Sequence, residues 1–586
     1  MIKKTKLTLL LSLIGLLLTS CNGGTNSSLS SNNINNTITS TAKIKIYKDN
    51  NYSSNGRFIP SDKVSIKYTY NDLSGTLSNN ENVMPSVGDA NLLVIPVHLP
   101  GGEEYKTDKV RQDIQKAFFG DENDSSIGFK SVKQYYKEAS YGKFNLNGVV
   151  TDWFDATSII PTENDVTQGQ GGTVMNKILK EAVKWASSSQ GINLQDYDQN
   201  KDGSIDGIYL VYDHLDWTSE YYIKHSKDSS YTGSDINQAF WNYTYWDWST
   251  PSITYKDSNN PTSDEIPTTS GFSWSSFDMM YTSYCDRDKN DAPILTDLNN
   301  IKLDTHTFVH EFGHLLGLDD YYSSSDSYYH PAGEQTMMDQ NVGDLDSYSK
   351  MLLGWITPNV VYGTSEINIA NVSLNSDHSV IVIPSNYEEI SSSIEKANNN
   401  NTIDKFTYEF NPFSEYIMID LYTPDGNNTI DAYGPNYVYD RNPLPNKVGV
   451  RIYHIDSRIF KCNVVNNPLT GAQTLSYDSS NYEWDGTMLE DNQAILMPIS
   501  NNQTESSSFQ LPASFDYFDQ IRLIEASGIN TFDSNGYMIN QTLFTEQSDP
   551  FDILTYGYQF FHSNYSFNTG KDLPFKVKVE EIKESL

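Results

Sequence analysis

Apolar residues in the first half of the chain occur in two patterns, as short continuous runs and as runs with helical spacing. Continuous runs predict buried strands at Leu92–Val97, Phe144–Val150 and Ile208–Tyr212. Apolar positions three or four residues apart predict helices at Asp108–Phe119, Ser131–Ser140 and Met175–Ser187. Because helices and strands intermix, this half is predicted to be mixed α and β.

The second half has a different pattern of apolar and polar residues, in which strand-like runs recur between Asn-rich segments. These runs lie at Ser379–Ile383, Tyr416–Ile419, Val448–Tyr453 and Phe575–Val579. Alternating stretches at Lys43–Tyr47 and Val64–Tyr68 suit either a small β element or a pro-segment. Residues 214–270 contain polar loops rich in Asn, Ser and Pro, which are expected to form an insertion. The fold class expected for the whole chain is α+β.

The N-terminus has the features of an export leader. Three lysines within the first six residues precede the apolar run Leu7–Leu18, which is too short to span a bilayer. The following Leu18-Thr19-Ser20-Cys21 resembles the lipobox of bacterial lipoprotein signal peptides, which implies that Cys21 carries a lipid anchor. The alternative is an ordinary signal peptide with a chance cysteine. Residues 22 to about 42 are uncharged and rich in Asn, Ser and Thr, as in a flexible tether.

Charge and cysteine content narrow the choice of partners. The 586 residues have a formal net charge of -35, which argues against nucleic acid and anionic lipid as partners. Membrane contact is therefore expected only through the lipid at Cys21. No CxxC pattern is present, so a thiolate zinc site is not expected. Cys285 and Cys462 either pair or remain two buried thiols, and the sequence leaves both possibilities open.

The strongest chemical signal is the segment His310-Glu311-Phe312-Gly313-His314. Two histidines four residues apart project from one face of a helix, so both can bind a single Zn²⁺. Glu311 stands next to the first histidine, where a carboxylate can act as general base on a metal-activated water. The competing interpretation is a helix with surface histidines and a chance glutamate. His306, one turn earlier, is either a support for this site or a packed or solvated histidine.

A catalytic zinc needs a third protein ligand, and the residues after the helix supply candidates. Gly317 can adopt a positive φ, end the helix and reverse the chain. Asp320 would then return to the metal, with Asp319 as the competing choice.

At these residues the chain resembles the immune inhibitor A-like metallopeptidases, which are exported bacterial enzymes of the metzincin type. The similarity spans roughly residues 90 to 460 and is carried by residues 131–136, 140–143, 202–207, 310–322, 336–339 and 347–355. The resemblance implies a catalytic domain with a mixed twisted sheet and an active-site helix, followed by a β-rich region. It also implies a methionine turn under the metal, at Met338 or, as second choice, Met337. Some metzincins have a helper tyrosine two residues after this methionine, which stabilises the oxyanion formed in the reaction. In this chain that position is Gln340, and Tyr348 is a weak substitute for the helper tyrosine.

A second metal site is suggested by alternating oxygen donors with a glycine at the sixth place of a Ca²⁺ loop. The candidate ligands are Asp198, Asn200, Asp202, Ser204 and Asp206. The twelfth position is Tyr209 rather than Glu, which excludes a complete EF-hand. The alternatives are a structural Ca²⁺ with further ligands from elsewhere and a polar turn.

The sequence thus predicts a zinc endopeptidase that hydrolyses extracellular proteins or peptides at the outer face of a bacterial membrane. The rivals are a non-enzymatic binding lipoprotein on a protease scaffold and a carbohydrate- or partner-binding module in the second half. The expected parts are a signal peptide (1–20), a tether (21–42), an N-terminal segment or pro-segment (43–90), a catalytic domain (91–360) and a β-rich region (361–586).

Overall fold

The computed structural model describes part of the chain. The described residues are 39–48, 57–58, 84–122, 124–166, 173–201, 205–246, 271–322, 330–384, 415–434, 442–457, 459–466, 473–476, 494–498, 500–501, 519–531, 541–561, 566–568, 570 and 572–585. The leader with Cys21, most of the tether and the stretch Val64–Tyr68 lie outside them. Among the helices described, none is long and apolar enough to cross a membrane.

Helices and strands are distributed along the whole described chain. The strands are β1 (Thr41–Lys48), β2 (Arg57–Phe58), β3 (Gly88–His98), β4 (Phe144–Val150), β5 (Phe154–Asp155), β6 (Ile208–Tyr212), β7 (Tyr243–Trp246), β8 (Gly271–Ser276), β9 (Asn359–Val361), β10 (Ser365–Ala370), β11 (Val380–Pro384), β12 (Glu415–Tyr422), β13 (Gly449–Asp456), β14 (Ile459–Asn466), β15 (Gln473–Ser476), β16 (Ala494–Pro498), β17 (Ile521–Ile524) and β18 (Phe575–Lys583). The α-helices are Asp108–Phe119, Val132–Ala139, Thr173–Gln190, Trp217–Lys227, His306–Leu315, Met337–Gln340, Ser347–Leu352, Thr429–Tyr433 and Ile553–Phe560.

A mixed sheet organises the first half of the molecule. Strands β4, β3, β6 and β8 are parallel neighbours in that order, and β7 is added antiparallel to β8 at one edge. Alternate residues of β3 face opposite sides: Leu92 and Val94 join the core that contains the helix His306–Leu315, whereas Leu93 and Ile95 pack with the helix Thr173–Gln190. Burial on both faces explains why these strands read as continuous apolar runs.

A second sheet, of order β17-β13-β12-β11-β9-β2, also contributes to two cores. Val380 and Val382 of β11 belong to the same core as the helix His306–Leu315, whereas Ile381 and Ile383 face the opposite side. There they share a core with β1, which lies between β10 and β18 in a three-stranded sheet. The helix that carries the candidate metal ligands therefore packs on a core to which both sheets contribute.

Several expectations about organisation need correction. Residues 214–270 are not loops throughout, because the helix Trp217–Lys227 and the strand Tyr243–Trp246 lie within them. Strand β1 begins at Thr41, inside the expected tether, and pairs with strands from the second half. The expected division at 360/361 falls within strand β9. The described chain mixes helices and sheets throughout, so the coarse prediction of an α+β fold is confirmed.

Candidate metal centre

The helix His306–Leu315, here called the metal helix, is anchored by its apolar face. Phe308 stacks on Phe118 with 5.2 Å between the ring centroids, and Phe312 is fully buried. The Tyr136 hydroxyl donates a hydrogen bond of 2.7 Å to the carbonyl oxygen of Val309. These contacts orient the opposite, polar face of the helix, because helix side chains three or four residues apart share a face.

The metal helix ends where the glycine signal predicts. Gly317 has φ +92°, a backbone conformation that residues with a side chain rarely adopt. Its N–H donates a hydrogen bond of 2.7 Å to the carbonyl oxygen of His314. The N–H of Leu318 donates to the carbonyl of Gly313 at 3.1 Å. The chain therefore reverses immediately after the helix and brings Asp320 back beside it.

Three donor atoms converge after this turn. His310 Nε2 lies 3.0 Å from Asp320 Oδ1 and 3.2 Å from His314 Nε2, and His314 Nε2 lies 3.2 Å from Asp320 Oδ1. Within the described residues, this is the one group of at least three His, Cys, Asp or Glu residues whose ligand atoms lie within 4.8 Å of one another. The geometry thus brings together all three residues that the sequence nominated.

Each histidine is oriented through its other ring nitrogen. His310 Nδ1 lies 2.9 Å from the carbonyl oxygen of Met337, and His314 Nδ1 lies 2.8 Å from that of Leu318. A carbonyl oxygen only accepts, so both Nδ1 atoms carry the hydrogen and donate. In neutral imidazoles, the Nε2 lone pairs are then directed at the shared point, as in histidines that bind metals.

Asp319, the competing third ligand, has different partners. Its carboxylate accepts a hydrogen bond from the N–H of Asp320 at 2.9 Å and another from the Ser500 side chain. Burial is the main reason that the pKa of Asp319 is raised to about 6. The structure therefore separates the two adjacent carboxylates, and only that of Asp320 joins the two histidines.

The donor set fits zinc in both chemistry and spacing. Ligands on neighbouring corners of a tetrahedron with zinc bonds of 2.0–2.1 Å stand about 3.3 Å apart, close to the observed separations. His314 and Asp320 are half-buried, so the cluster is accessible from one side. Burial alone would lower the pKa of His314, but the Asp320 carboxylate raises it to about 10. The site therefore favours positive charge, as a cation site should.

Glu311 is buried next to this cluster and is held by a hydroxyl group. Its Oε2 lies 3.0 Å from Thr244 Oγ1, on the edge strand β7. Burial is the largest cause of the raised pKa of Glu311, and the neighbouring His310 and His314 oppose that rise. A buried carboxylate with a raised pKa, beside a cation site, has the character expected of a general base.

Met338 packs directly beneath the metal helix. A Cβ placed on Gly313 would come within 2.6 Å of Met338 Sδ, so the helix and this side chain approach as closely as a glycine allows. Met338 and Met337 are both fully buried, and Met337 supplies the carbonyl that orients His310. The segment supports the metal helix through both residues. Tyr348, the weak substitute for a helper tyrosine, is buried with its ring against Tyr321.

His306 is neither solvated nor simply packed. It is fully buried, stacks on Phe129 with centroids 3.8 Å apart, and has a carboxylate at each ring nitrogen. Asp304 Oδ1 lies 2.5 Å from Nδ1, and Asp431 Oδ2 lies 3.2 Å from Nε2. Burial alone would lower the pKa of His306, but these two carboxylates raise it to about 9.

The candidate calcium loop gains no support. Asp202 and Ser204 lie outside the described residues, and Asp206 Oδ2 accepts a hydrogen bond of 2.8 Å from the N–H of Gln199. Calcium at Asp198, Asn200 and Asp206 therefore stays a prediction.

The question of a disulfide is answered for one cysteine. Cys285 is a free, buried thiol, so the pairing with Cys462 that the sequence left open is not formed. Burial raises the pKa of the Cys285 thiol, which makes it a poor nucleophile.

Two residues near the centre were missed from the sequence. Thr244 lies in the stretch interpreted as loops, although the aromatic residues Trp241, Tyr243 and Tyr245 at alternate positions are a strand signal that could have located its strand. Tyr322 lies within the segment that carries the family resemblance, but the motif itself indicates no role for it. Its ring stacks toward that of His310, with 6.5 Å between centroids.

Comparison with known proteins supports a peptidase. Residues 87–261 match the family model for the immune inhibitor A peptidase M6 catalytic domain. In chain order the match covers strands β3 to β7, and it ends before β8 and the metal helix. No curated protein matches the chain. Over residues 87–261 the chain is therefore similar to the catalytic domain of the immune inhibitor A-like M6 peptidases, which confirms the resemblance to that family inferred from the sequence motifs.

Proposed function

We propose that this protein is a zinc-dependent endopeptidase that hydrolyses peptide bonds of extracellular proteins. The observation that carries the proposal is the convergence of His310, His314 and Asp320, with donor atoms 3.0–3.2 Å apart, beside the buried Glu311. The family match supports the coarser class of metallopeptidase. The identity of the metal and the roles of the individual residues rest on the chemistry of this cluster.

Each residue has a distinct role in the proposed reaction. When bound, the zinc ion supplies a Lewis acid that polarises the scissile carbonyl and makes a water molecule more acidic. His310, His314 and Asp320 would hold the ion, and the backbone carbonyl groups that accept from Nδ1 of both histidines would leave each Nε2 for it. Glu311 takes a proton from the water at its carboxylate and later passes it to the leaving amine.

The wider setting is also proposed. The mixed sheet beside the metal helix, and Met338 beneath it, support a metzincin-type catalytic domain. Strands β9 to β18 would form the β-rich C-terminal region, together with β1 and β2. The lipobox-like Cys21 supports a lipid-anchored protein on the outer face of a bacterial membrane, with protein or peptide substrates as its partners.

A non-enzymatic binding lipoprotein is not favoured. A purely structural zinc site has no use for a buried carboxylate like Glu311, whose burial has to be offset by hydrogen bonds. The match to a peptidase catalytic domain points the same way.

Casein cleavage tests the proposal. Wild type, Glu311→Gln and Glu181→Gln are compared at equal zinc content, with and without a chelator. Glu181 is an exposed residue of the helix Thr173–Gln190 and serves as the matched control. We expect the wild type and the control to cleave casein until chelator is added, and Glu311→Gln to lose at least about a hundredfold in rate, as expected for a general base. Equal cleavage by wild type and Glu311→Gln would refute the mechanism.

A further inference from the structure

Thr244 makes a contact with Glu311 that the proposed function does not use. Its Oγ1 lies 3.0 Å from the Glu311 carboxylate Oε2 and 2.9 Å from the Glu311 backbone carbonyl oxygen. One hydroxyl group on a neighbouring strand thus contacts both the side chain and the backbone of the proposed base.

The sheet register explains how this hydroxyl group is held. Thr244 on β7 is the direct cross-strand partner of Ser273 on β8, and their hydroxyl oxygens lie 2.8 Å apart. Ser273 Oγ lies 3.2 Å from the Glu311 carbonyl oxygen. Because the two hydroxyl oxygens are in hydrogen-bond contact, the Ser273 hydroxyl can donate to Thr244 Oγ1. The hydrogen of the Thr244 hydroxyl is then left for the Glu311 carboxylate. Such cross-strand hydroxyl pairs fix side-chain position in a sheet.

A hydroxyl group suits a carboxylate that gains and loses a proton. It donates to the ionised carboxylate, and after rotation it accepts from the protonated acid while its own hydrogen turns to the Glu311 carbonyl. A lysine or arginine would hold only the ionised form, because it has no acceptor. A hydroxyl group thus offers a partner to both forms without a change in backbone position.

We infer that Thr244 is a positioning residue that holds the Glu311 carboxylate in its reactive orientation through both halves of the proton transfer. The inference rests on the proposed function and deepens it. Thr244 itself need not touch the substrate, because it acts through Glu311. Its effect should therefore appear in kcat rather than in KM.

Three variants isolate the hydroxyl group. Thr244→Val removes it and keeps the branched shape, Thr244→Ser keeps it, and Thr423→Val removes a buried hydroxyl group elsewhere, where Thr423 contacts Asn371 and Ser373. We expect Thr244→Val to lose about tenfold or more in kcat with KM within about twofold, as for the loss of a hydrogen bond to a charged group. Thr244→Ser and Thr423→Val should retain most of the wild-type kcat. Thr244→Ala repeats the test if the valine is not accommodated.

A metal-free crystal structure supplies a readout that does not depend on activity. We expect a single orientation of the Glu311 carboxylate in wild type and Thr244→Ser, and more than one in Thr244→Val. An unchanged single orientation in Thr244→Val, or equal losses of kcat in the Val and Ser variants, would overturn the inference.

Glu311→Gln in the same assay separates the two claims. If Glu311→Gln is inactive while Thr244→Val has wild-type kcat, only the role of Thr244 fails. If Glu311→Gln is fully active, the proposed function fails and the inference fails with it.

Discussion

His306 Nε2 lies 3.2 Å from Asp431 Oδ2, although the two residues are 125 positions apart in sequence. His306 is the first residue of the metal helix, and Asp431 belongs to the helix Thr429–Tyr433. Asp431 also accepts a hydrogen bond from the N–H of Gly343. This contact therefore joins the first residue of the metal helix to the short helix that follows strand β12.

Replacing Asp431 should expose the strength of this tie. In Asp431→Asn the buried imidazolium loses one of its two counter-charges, and breaking a buried ion pair from one side costs on the order of 3 kcal/mol. In urea unfolding of the metal-free proteins, we expect the free energy of unfolding of Asp431→Asn to lie below that of the wild type by this amount. Asp425→Asn, at a half-buried residue nearby in sequence, is the control and should lie within about 0.5 kcal/mol of wild type. Equal stability of the two variants would contradict the account.

The same contact predicts how stability changes with pH. The folded pKa of His306 is raised to about 9 from its ordinary 6.5, so its protonated form stabilises the folded state. That contribution is complete below pH 6.5 and is lost as the pH rises through 9. We expect the stability difference between metal-free wild type and His306→Gln to shrink between pH 6.5 and pH 9. A difference that grows over this range would refute the assignment.

The contact between Gly313 and Met338 predicts a compensating pair of substitutions. Gly313→Ala puts a methyl group 2.6 Å from Met338 Sδ and should cost about 1–3 kcal/mol through overpacking. Met338→Ala should cost about 2–5 kcal/mol through a cavity. Because the cavity accepts the new methyl group, the double variant should lose less than the sum of the single losses, as thermal unfolding of all four proteins would show. Strict additivity would mean that the two residues do not touch.

The turn after the metal helix predicts a selective effect on zinc. Gly317→Ala places a side chain at φ +92° and should cost about 1–2 kcal/mol while displacing Asp320 from the cluster. Gly191→Ala is a matched control, because Gly191 has φ +69° and open space around its Cβ position after another helix. Competition with a chromogenic chelator should show weaker zinc binding in Gly317→Ala alone. Equal zinc affinity in the two variants would contradict the role of the turn.

Elements with strong local signals can be predicted from the sequence. The strands Phe144–Val150 and Ile208–Tyr212 and the helix Asp108–Phe119 have the bounds that their apolar patterns indicate. The arrangement of His310, His314 and Asp320 is equally local, because one helix and one glycine turn bring the three donors together. The eleven consecutive residues from His310 to Asp320, with a positive φ at Gly317, are enough to specify it.

Long-range relationships leave no comparable trace in the sequence. Strand β7 has only four residues, and although Tyr243, Tyr245 and Trp246 suit a strand, nothing in these residues indicates that it pairs with β8. Thr244 reaches Glu311 only because β7 pairs with β8 beside the metal helix. His306 is paired with Asp304, which lies just before the metal helix, and with Asp431 of a distant helix. Because the sequence does not show that Asp431 lies nearby, His306 cannot be distinguished from an ordinary packed histidine by sequence alone.

A crystal structure of the zinc-loaded protein, phased on the anomalous signal at the zinc edge, tests the central claim most directly. The account predicts one peak per chain at this site, bonded to Nε2 of His310, Nε2 of His314 and Oδ1 of Asp320 at about 2.0–2.2 Å. The absence of a peak there at full zinc occupancy of the protein, or a peak with Asp319 in place of Asp320, would contradict it.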